Sequence, residues 1–291
     1  AKLYADEGDQ VRLSPRKSFE LWRETRRGRS EPWHESDVRA ATRFARHVTA
    51  AFLRRERRHA EVAADLQRAM RPAQIPAVPG WSIDVHDRPA GTGQIGGDWF
   101  DVFVPQEGLL VAVVGDVAGH GLQEAAEMAQ LRNSLRAYLL DDPRPSQALV
   151  RLDSLIRRVL PGTLATAVCA VIDTTTAEVR LSHAGHVPAL LASTDATRFV
   201  TGAEGDVLLG FGRLERREQS VSLQPGEALV LYSDGLIERR DRSLDAGLDE
   251  LRRVVPAPLA GDSPAAAIAE QLDDSRYVDD TSVLVLRRLG D

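Results

Sequence analysis

The sequence predicts an α+β domain built on antiparallel sheets and preceded by one long helix. Three observations carry this. From Glu35 to Arg71 there is neither Pro nor Gly, and Ala, Arg and Glu dominate, a composition that favours an uninterrupted helix. Beyond Pro72, Pro76 and Pro79, which stop that helix, short apolar segments follow one another across short turns, as neighbouring antiparallel strands do. Helical segments are grouped between runs of strands, which separates the pattern from a doubly wound parallel sheet.

The elements follow in order. Residues 1–33 read as loop, with a short helical candidate at Ser18–Arg26. Within the long helix, Val38, Ala45, Phe52, His59 and Leu66 recur every seven residues, as do Ala41, Val48, Arg55, Val62 and Ala69. Such heptads suggest a parallel coiled coil and hence a homodimer, with a single amphipathic helix packed on its own domain as the alternative. Strands are expected at Trp81–Arg88, Trp99–Val104 and Leu109–Val114, and helices at Leu122–Leu140 and Pro145–Leu160. Thr166–Ile172 and Glu178–Ser182 should form a hairpin across Asp173–Ala177. Further strands are expected at Val187–Leu191, Glu218–Leu223 and Ala228–Tyr232, helices at Leu244–Val254 and Pro264–Leu272, and a last strand at Ser282–Leu286.

Charge divides the chain. Residues 1–74 hold 17 basic and 11 acidic side chains, while residues 75–291 hold 20 basic and 32 acidic ones. The acidic larger part argues against a nucleic-acid substrate and suits a protein that gathers carboxylates around cations. No apolar run is long enough for a membrane helix, and no secretory signal opens the chain. The single cysteine, Cys169, cannot form an internal disulfide, which fits a cytoplasmic location. It lies in the apolar run AVCAVI and reads as core. Ala1 is not an initiator methionine, so the chain reads either as a fragment of a longer protein or as a renumbered one.

Four acidic motifs stand beside predicted strands: Asp98 in IGGDWFD (95–101), Asp116 in GDVAGHG (115–121), Asp234 in YSDG (232–235), and Asp279 with Asp280 in DDTSVLVL (279–286). A carboxylate at a strand end projects into a cleft from a rigid base, and a glycine beside it lets backbone and ligand approach closely. Convergent carboxylates repel one another unless cations neutralise them, and hard oxygen donors suit Mg²⁺ or Mn²⁺. Two such ions can bind a phosphoryl group and activate a water. His120 in GDVAGHG is either a proton donor or a loop-shaping residue. His183 and His186 are spaced by three without further Cys or His, a poor zinc pattern. GDVAGHG lacks the Lys-Ser/Thr of a P-loop and the spacing of a dinucleotide fingerprint.

These motifs, in this order, resemble the PPM (type 2C) metal-dependent protein phosphatases, and most closely their bacterial SpoIIE-type branch. The resemblance is carried by LQRAMRP (66–72), IGGDWFD, GDVAGHG with AAEMAQLRNSLRAY (125–138), LATAVCAVID (164–173), LSHAGHVPALL (181–191), LQPGEALVLYSDGLIE (223–238) and DDTSVLVL. It implies a four-layer α-β-β-α sandwich of two antiparallel sheets. It implies two divalent cations, Mn²⁺ or Mg²⁺, with Asp116 bridging them, the Val117 carbonyl assisting, and Asp98, Asp234 and Asp279 completing the set. Asp279 is preferred to Asp280 because it takes the first place of the family's acidic pair. The implied reaction is hydrolysis of phosphoserine or phosphothreonine by activated water, without a phosphoenzyme. The implied substrate is a phosphorylated regulator of the anti-anti-sigma type. VLLG (207–210) departs from the proline-containing turn usual at that place.

The segment LSPRKSFELWRETRRGRSEPW (13–33) resembles the end of a phytochrome PHY domain, with Arg16 and Ser18 on its tongue. The resemblance implies a red-light photoreceptor whose bilin chromophore belongs to domains outside this chain. The expected organisation is a PHY end at 1–34, a signalling helix at 35–72 and a phosphatase domain at 73–291. The competing reading is a catalytically inactive phosphatase-like module that only binds partners. Retention of all the acidic motifs favours the enzyme.

Overall fold

A computed structural model describes residues 32–70, 74–89, 96–119, 121–200, 206–239, 241–272 and 280–290. The tongue segment with Arg16 and Ser18, the Ser18–Arg26 helix, His120 and Asp279 lie outside the described residues. The chain divides into two units, residues 1–55 and residues 56–291.

Helix α1 (Glu35–Met70) begins in the first unit, with Glu35 and Asp37 in its first turn, where negative charge complements the helix dipole. Val38, Phe44, Val48, Phe52 and Leu53 are all exposed on it.

The second unit contains two five-stranded antiparallel sheets. Its strands are β1 (Trp81–Arg88), β2 (Asp98–Phe103), β3 (Leu109–Val117), β4 (Ala165–Asp173), β5 (Glu178–Ala184), β6 (Ala189–Ala192), β7 (Thr197–Val200), β8 (Gln219–Ser222), β9 (Ala228–Tyr232) and β10 (Thr281–Arg288). One sheet runs β2-β3-β4-β5-β8 and the other β1-β10-β9-β6-β7. Helices α2 (Leu122–Asp141) and α3 (Pro145–Val159) follow β3, and α4 (Leu244–Val254) and α5 (Pro264–Leu272) precede β10.

Alternation along the strands builds the four layers. On β3, Val111 and Val113 join a core with Met128, Leu131 and Leu135 of α2 and Leu149, Leu152 and Ile156 of α3. Their neighbours Leu110, Ala112 and Val114 face the other way, into a core shared with Leu229, Leu231, Leu284 and Leu286 of the second sheet. Val230, Tyr232, Val283 and Val285 then pack against Leu251 of α4 and Ile268 and Leu272 of α5. A strand buried on both faces reads as a continuous apolar run, which is why LLVAVV and ALVLY carry no polar alternation. The α-β-β-α sandwich implied by the family resemblance is therefore the fold of residues 81–288.

The expected elements are found with boundaries shifted by a few residues, and one strand was not anticipated. β7 is a four-residue edge strand paired, among the described residues, to β6 alone, too short to display an alternation. The segment expected as strand from Val187 instead begins at Ala189, because residues 185–188 carry the chain from one sheet to the other. The Asp173–Ala177 hairpin is present. Asp173 Oδ1 accepts from the Thr175 and Thr176 amides at 2.9 Å each and from the Thr175 hydroxyl at 2.6 Å, and these donors hold its carboxyl down to about 2. Cys169 is fully buried, and burial pushes its thiol up, the state of a core residue rather than a nucleophile.

Candidate active site

Asp98 opens β2 and Asp116 lies near the end of β3, where register makes them direct cross-strand partners. Opposed residues on adjacent strands share a face of the sheet. Asp234 opens a single 3₁₀ turn immediately after β9, and Asp280 immediately precedes β10, which pairs with β9. The site thus draws on neighbouring strand ends from both sheets. One carboxylate oxygen each from Asp98, Asp116 and Asp234 lie within 4.8 Å of one another.

Backbone packs closely against this cluster. A Cβ on Gly97 would run into the Val117 carbonyl oxygen and the Asp116 carboxylate, and one on Gly96 would overlap the Asp280 carboxylate. The glycine pair of IGGDWFD therefore serves close approach to the acidic side chains. The Val117 amide donates to Gly97 O at 3.1 Å and the Ala118 amide to Leu164 O at 2.9 Å, which fixes the turn that presents Asp116 and the Val117 carbonyl.

The electrostatics are those of a crowded anionic cluster. Burial is the largest influence on Asp98, followed by the charge of Asp116; both push its carboxyl well above the usual range, as do Asp234 and Asp280, while a hydrogen bond from Ser233 opposes them. Among the described residues, Asp98 Oδ2 is buried without a hydrogen-bond partner. A buried carboxylate oxygen left unpaired is costly, and a divalent cation removes that cost. The donor set of clustered carboxylates fits Mg²⁺ or Mn²⁺. Asp98, Asp116 and Asp234, singled out in the sequence, are brought together, and the Val117 carbonyl lies beside Gly97 next to them. Asp280 contributes its charge to the same cluster.

Two features had no signal in the sequence. Asp101, at the far end of IGGDWFD, is buried and receives Arg136 Nε at 2.8 Å and Nη2 at 2.6 Å, with Arg132 Nη2 at 3.2 Å. This ties β2 to α2, the helix that follows the Asp116 turn. The VLLG segment forms an isolated bridge from Leu209 to Ala165 at the start of β4. The Gly210 amide donates to buried Asp153 at 2.8 Å, and Arg216 reaches the Val207 carbonyl at 3.0 Å. A proline-free turn is held here by a side-chain frame that only the fold assembles. His183 is buried with neither ring nitrogen hydrogen-bonded among the described residues.

Comparison with known proteins agrees with this geometry. Residues 106–289 match the family of Stage II sporulation protein E (SpoIIE), and residues 1–57 match the phytochrome region family. Phosphoserine phosphatase RsbU of Bacillus subtilis is 22% identical over 255 residues, which cover 84% of this chain and 75% of RsbU. The crystal structure of the RsbU and RsbW domains of Rv1364c from Mycobacterium tuberculosis matches with a TM-score of 0.69 at 34% identity, covering 76% of this chain and 63% of that one. Cyanobacterial phytochrome A of Nostoc sp. is 46% identical over 59 residues, which are 20% of this chain and 8% of the phytochrome. The chain thus spans less than two thirds of the Rv1364c chain and a small part of the phytochrome. With a SpoIIE match running through most of the sandwich and through the strand ends that carry Asp116, Asp234 and Asp280, the chain belongs to the SpoIIE family of PPM-type serine/threonine phosphatases and carries a phytochrome region at its N-terminal end.

Proposed function

We propose that this chain is the output part of a red-light photoreceptor and dephosphorylates a phosphoserine or phosphothreonine regulator of the anti-anti-sigma type in the cytoplasm. The observation that carries the enzymatic reading is the convergence of Asp98, Asp116 and Asp234 from two sheets onto one point. In this reading Asp98, Asp116, Asp234, Asp279 and the Val117 carbonyl hold two divalent cations, Mn²⁺ or Mg²⁺, with Asp116 shared between them. Bound there, the cations supply Lewis-acid activation of a water and neutralise charge on the phosphoryl oxygens. The chain's own groups set the stage. The Ser233 hydroxyl hydrogen-bonds Asp98, while its oxygen accepts from the Ser282 amide at 3.0 Å, so the ends of β9 and β10 orient a carboxylate of the opposite sheet. The glycines of IGGDWFD keep that approach open. Substrate class follows from the relationship to RsbU, whose name records a phosphoserine phosphatase.

Signal enters, in the same proposal, from the phytochrome region through α1. The exposed Val38, Val48 and Phe52 lie on the heptad positions and favour a parallel homodimer over a helix packed on its own domain. A bilin would be held by domains outside this chain.

The enzymatic reading is tested by phosphate release from a small aryl phosphate with Mn²⁺ or Mg²⁺, before and after chelation. Turnover should vanish with chelator and return with metal. Asp116→Asn should lose nearly all turnover while keeping the circular dichroism of the parent. Activity without any divalent ion, or an Asp116→Asn variant above about a tenth of the parental rate, beyond the loss expected for an outer-sphere residue, would sink the assignment. Asp279→Asn should be the more damaging change when compared with Asp280→Asn; the reverse order would move that ligand by one residue.

A further inference from the structure

The chain changes sheets between β5 and β6, through Gly185, His186, Val187 and Pro188. Gly185 has φ +66° and pairs in an isolated parallel bridge with Ala167 on β4. A Cβ there would press on the Leu208 side chain at 2.5 Å and on the Leu208 amide nitrogen at 3.0 Å, so glycine lets the crossover lie close against the turn that carries Leu208. The next residue, His186, has both ring nitrogens engaged. Nδ1 lies 2.7 Å from the Thr166 hydroxyl and Nε2 lies 3.0 Å from the Tyr232 carbonyl oxygen. Tyr232 returns to the same crossover, donating its own hydroxyl to the Pro188 carbonyl at 2.7 Å.

These partners are not arbitrary places in the fold. Thr166 is the β4 residue directly opposite Asp116. Tyr232 is the last residue of β9, two before Asp234. The tautomer follows from the partners: a carbonyl oxygen only accepts, so Nε2 carries the proton and Nδ1 accepts from the Thr166 hydroxyl. One imidazole thus links the strand neighbour of a carboxylate in one sheet to the strand that delivers a carboxylate in the other.

We infer that His186 is a positioning residue whose Thr166–His186–Tyr232 bridge sets the separation between Asp116 and Asp234, and with it the fit of the site to its cations. Main-chain register holds each sheet internally but does not fix one sheet against the other; apolar packing between the sheets is non-directional. The bridge is directional, and it crosses at the end where the carboxylates converge. Outer groups that orient ligands act on metal affinity. The inference rests on the reading that Asp116 and Asp234 hold cations.

The test is direct Mn²⁺ binding by calorimetry on the full chain, with thermal unfolding of the same metal-free samples. Thr166→Val keeps the shape of the side chain and removes the hydroxyl; Thr166→Ser keeps the hydroxyl. His186→Ala removes the bridge, and Ile172→Val, buried at the other end of β4, serves as a control for lost stability. Thr166→Val and His186→Ala should each bind Mn²⁺ about tenfold or more weakly. The double variant should be little worse than either single one, since both remove the same bridge. Thr166→Ser should bind as the parent does, and Ile172→Val should lose thermal stability without losing affinity. Parental affinity in Thr166→Val would overturn the inference even if the variant melted earlier. Absence of Mn²⁺ binding by the parent would overturn the two-cation reading itself and the inference with it.

Discussion

Asp98 and Asp116 oppose each other directly across β2 and β3, two acids in register at a place where the sandwich could have used neutral residues. Like charges directly opposite one another destabilise a sheet, and Asp98 is also largely removed from water. In the proposed reading, function and stability therefore pull apart at this pair. Asp98→Asn should raise the unfolding free energy of the metal-free protein, by about 1 kcal/mol or somewhat more, while removing most turnover. Urea unfolding in chelator measures the first and phosphate release the second. A metal-free Asp98→Asn protein less stable than its parent would show that protein groups already offset the repulsion within the pair. Mn²⁺ should stabilise the parent, since a ligand that binds only the folded state does so by mass action, and should stabilise the variant much less.

The Asp101 cluster predicts the opposite behaviour. Its carboxylate is buried beneath two arginines, and Arg136 also lies 4.5 Å over the Phe103 ring. Removing the acid leaves guanidinium groups without their partner, and breaking a buried pair from one side costs roughly 3–5 kcal/mol. Asp101→Ala should fall in that range by chemical denaturation. Arg136→Ala should cost less, because Arg132 still reaches the carboxylate at 3.2 Å. Equal losses for the two variants would mean that Arg132 does not share the charge.

Two histidines make the fold sensitive to acid. Burial holds His183 down to about 4, against a weaker upward pull from Asp206. Burial likewise holds His186 down to about 4, opposed by its hydrogen bond to Tyr232 and aided by His183. In the unfolded chain both should titrate near 6.5. Between those values the unfolded state binds more protons than the native state, so stability is complete above about 6.5 and is lost as pH falls toward 4. Each histidine contributes a slope of up to about 1.4 kcal/mol per pH unit. His183→Phe tests this cleanly: the ring nitrogens it removes have no hydrogen bonds among the described residues, so stability at pH 7.5 should be unchanged or higher. The acid slope between pH 6.5 and 4 should fall by about one proton. An unchanged slope would show that His183 is already protonated in the folded state.

What the sequence made legible follows from range. Helices and buried strands declare themselves over a few residues, so α4, α5, β1 and β9 were placed to the residue. The aspartates were legible because each sits in its own short motif beside an apolar strand. The bridge through His186 was not, because its three members are 20 and 46 residues apart and only strand register brings them together. The role of Asp101 was hidden for the same reason: its partners lie 31 and 35 residues away on a helix face. The glycines of IGGDWFD were read correctly as allowing close approach, although what approaches them, Asp280 and Val117, could not be read locally. β7 was missed because four residues at a sheet edge carry too little pattern to outweigh a loop.

The last prediction concerns α1. Val48 and Phe52 remain 50% and 62% exposed on it, an unusual cost for a helix of 36 residues unless another surface covers them. Their spacing matches the inner positions of a parallel coiled coil. If a second copy covers them, Val48→Glu with Phe52→Glu should dissociate the dimer, since each change removes apolar burial worth roughly 1.5–3 kcal/mol and brings charge into the seam. In the proposed reading this helix relays the signal from the phytochrome region, so a change in pairing at one end would bias a two-state element that acts on catalysis. The double variant should therefore change turnover as well as mass, although it touches no aspartate. Sedimentation and phosphate release measured on one preparation decide the matter. A monomeric variant with the parental rate at every Mn²⁺ concentration would reduce α1 to a tether. A variant that stays dimeric would place the contact on another surface. A monomer whose rate changes, and whose rate is restored when the helices are paired by an introduced disulfide at position 45, would establish that pairing and catalysis are coupled through α1.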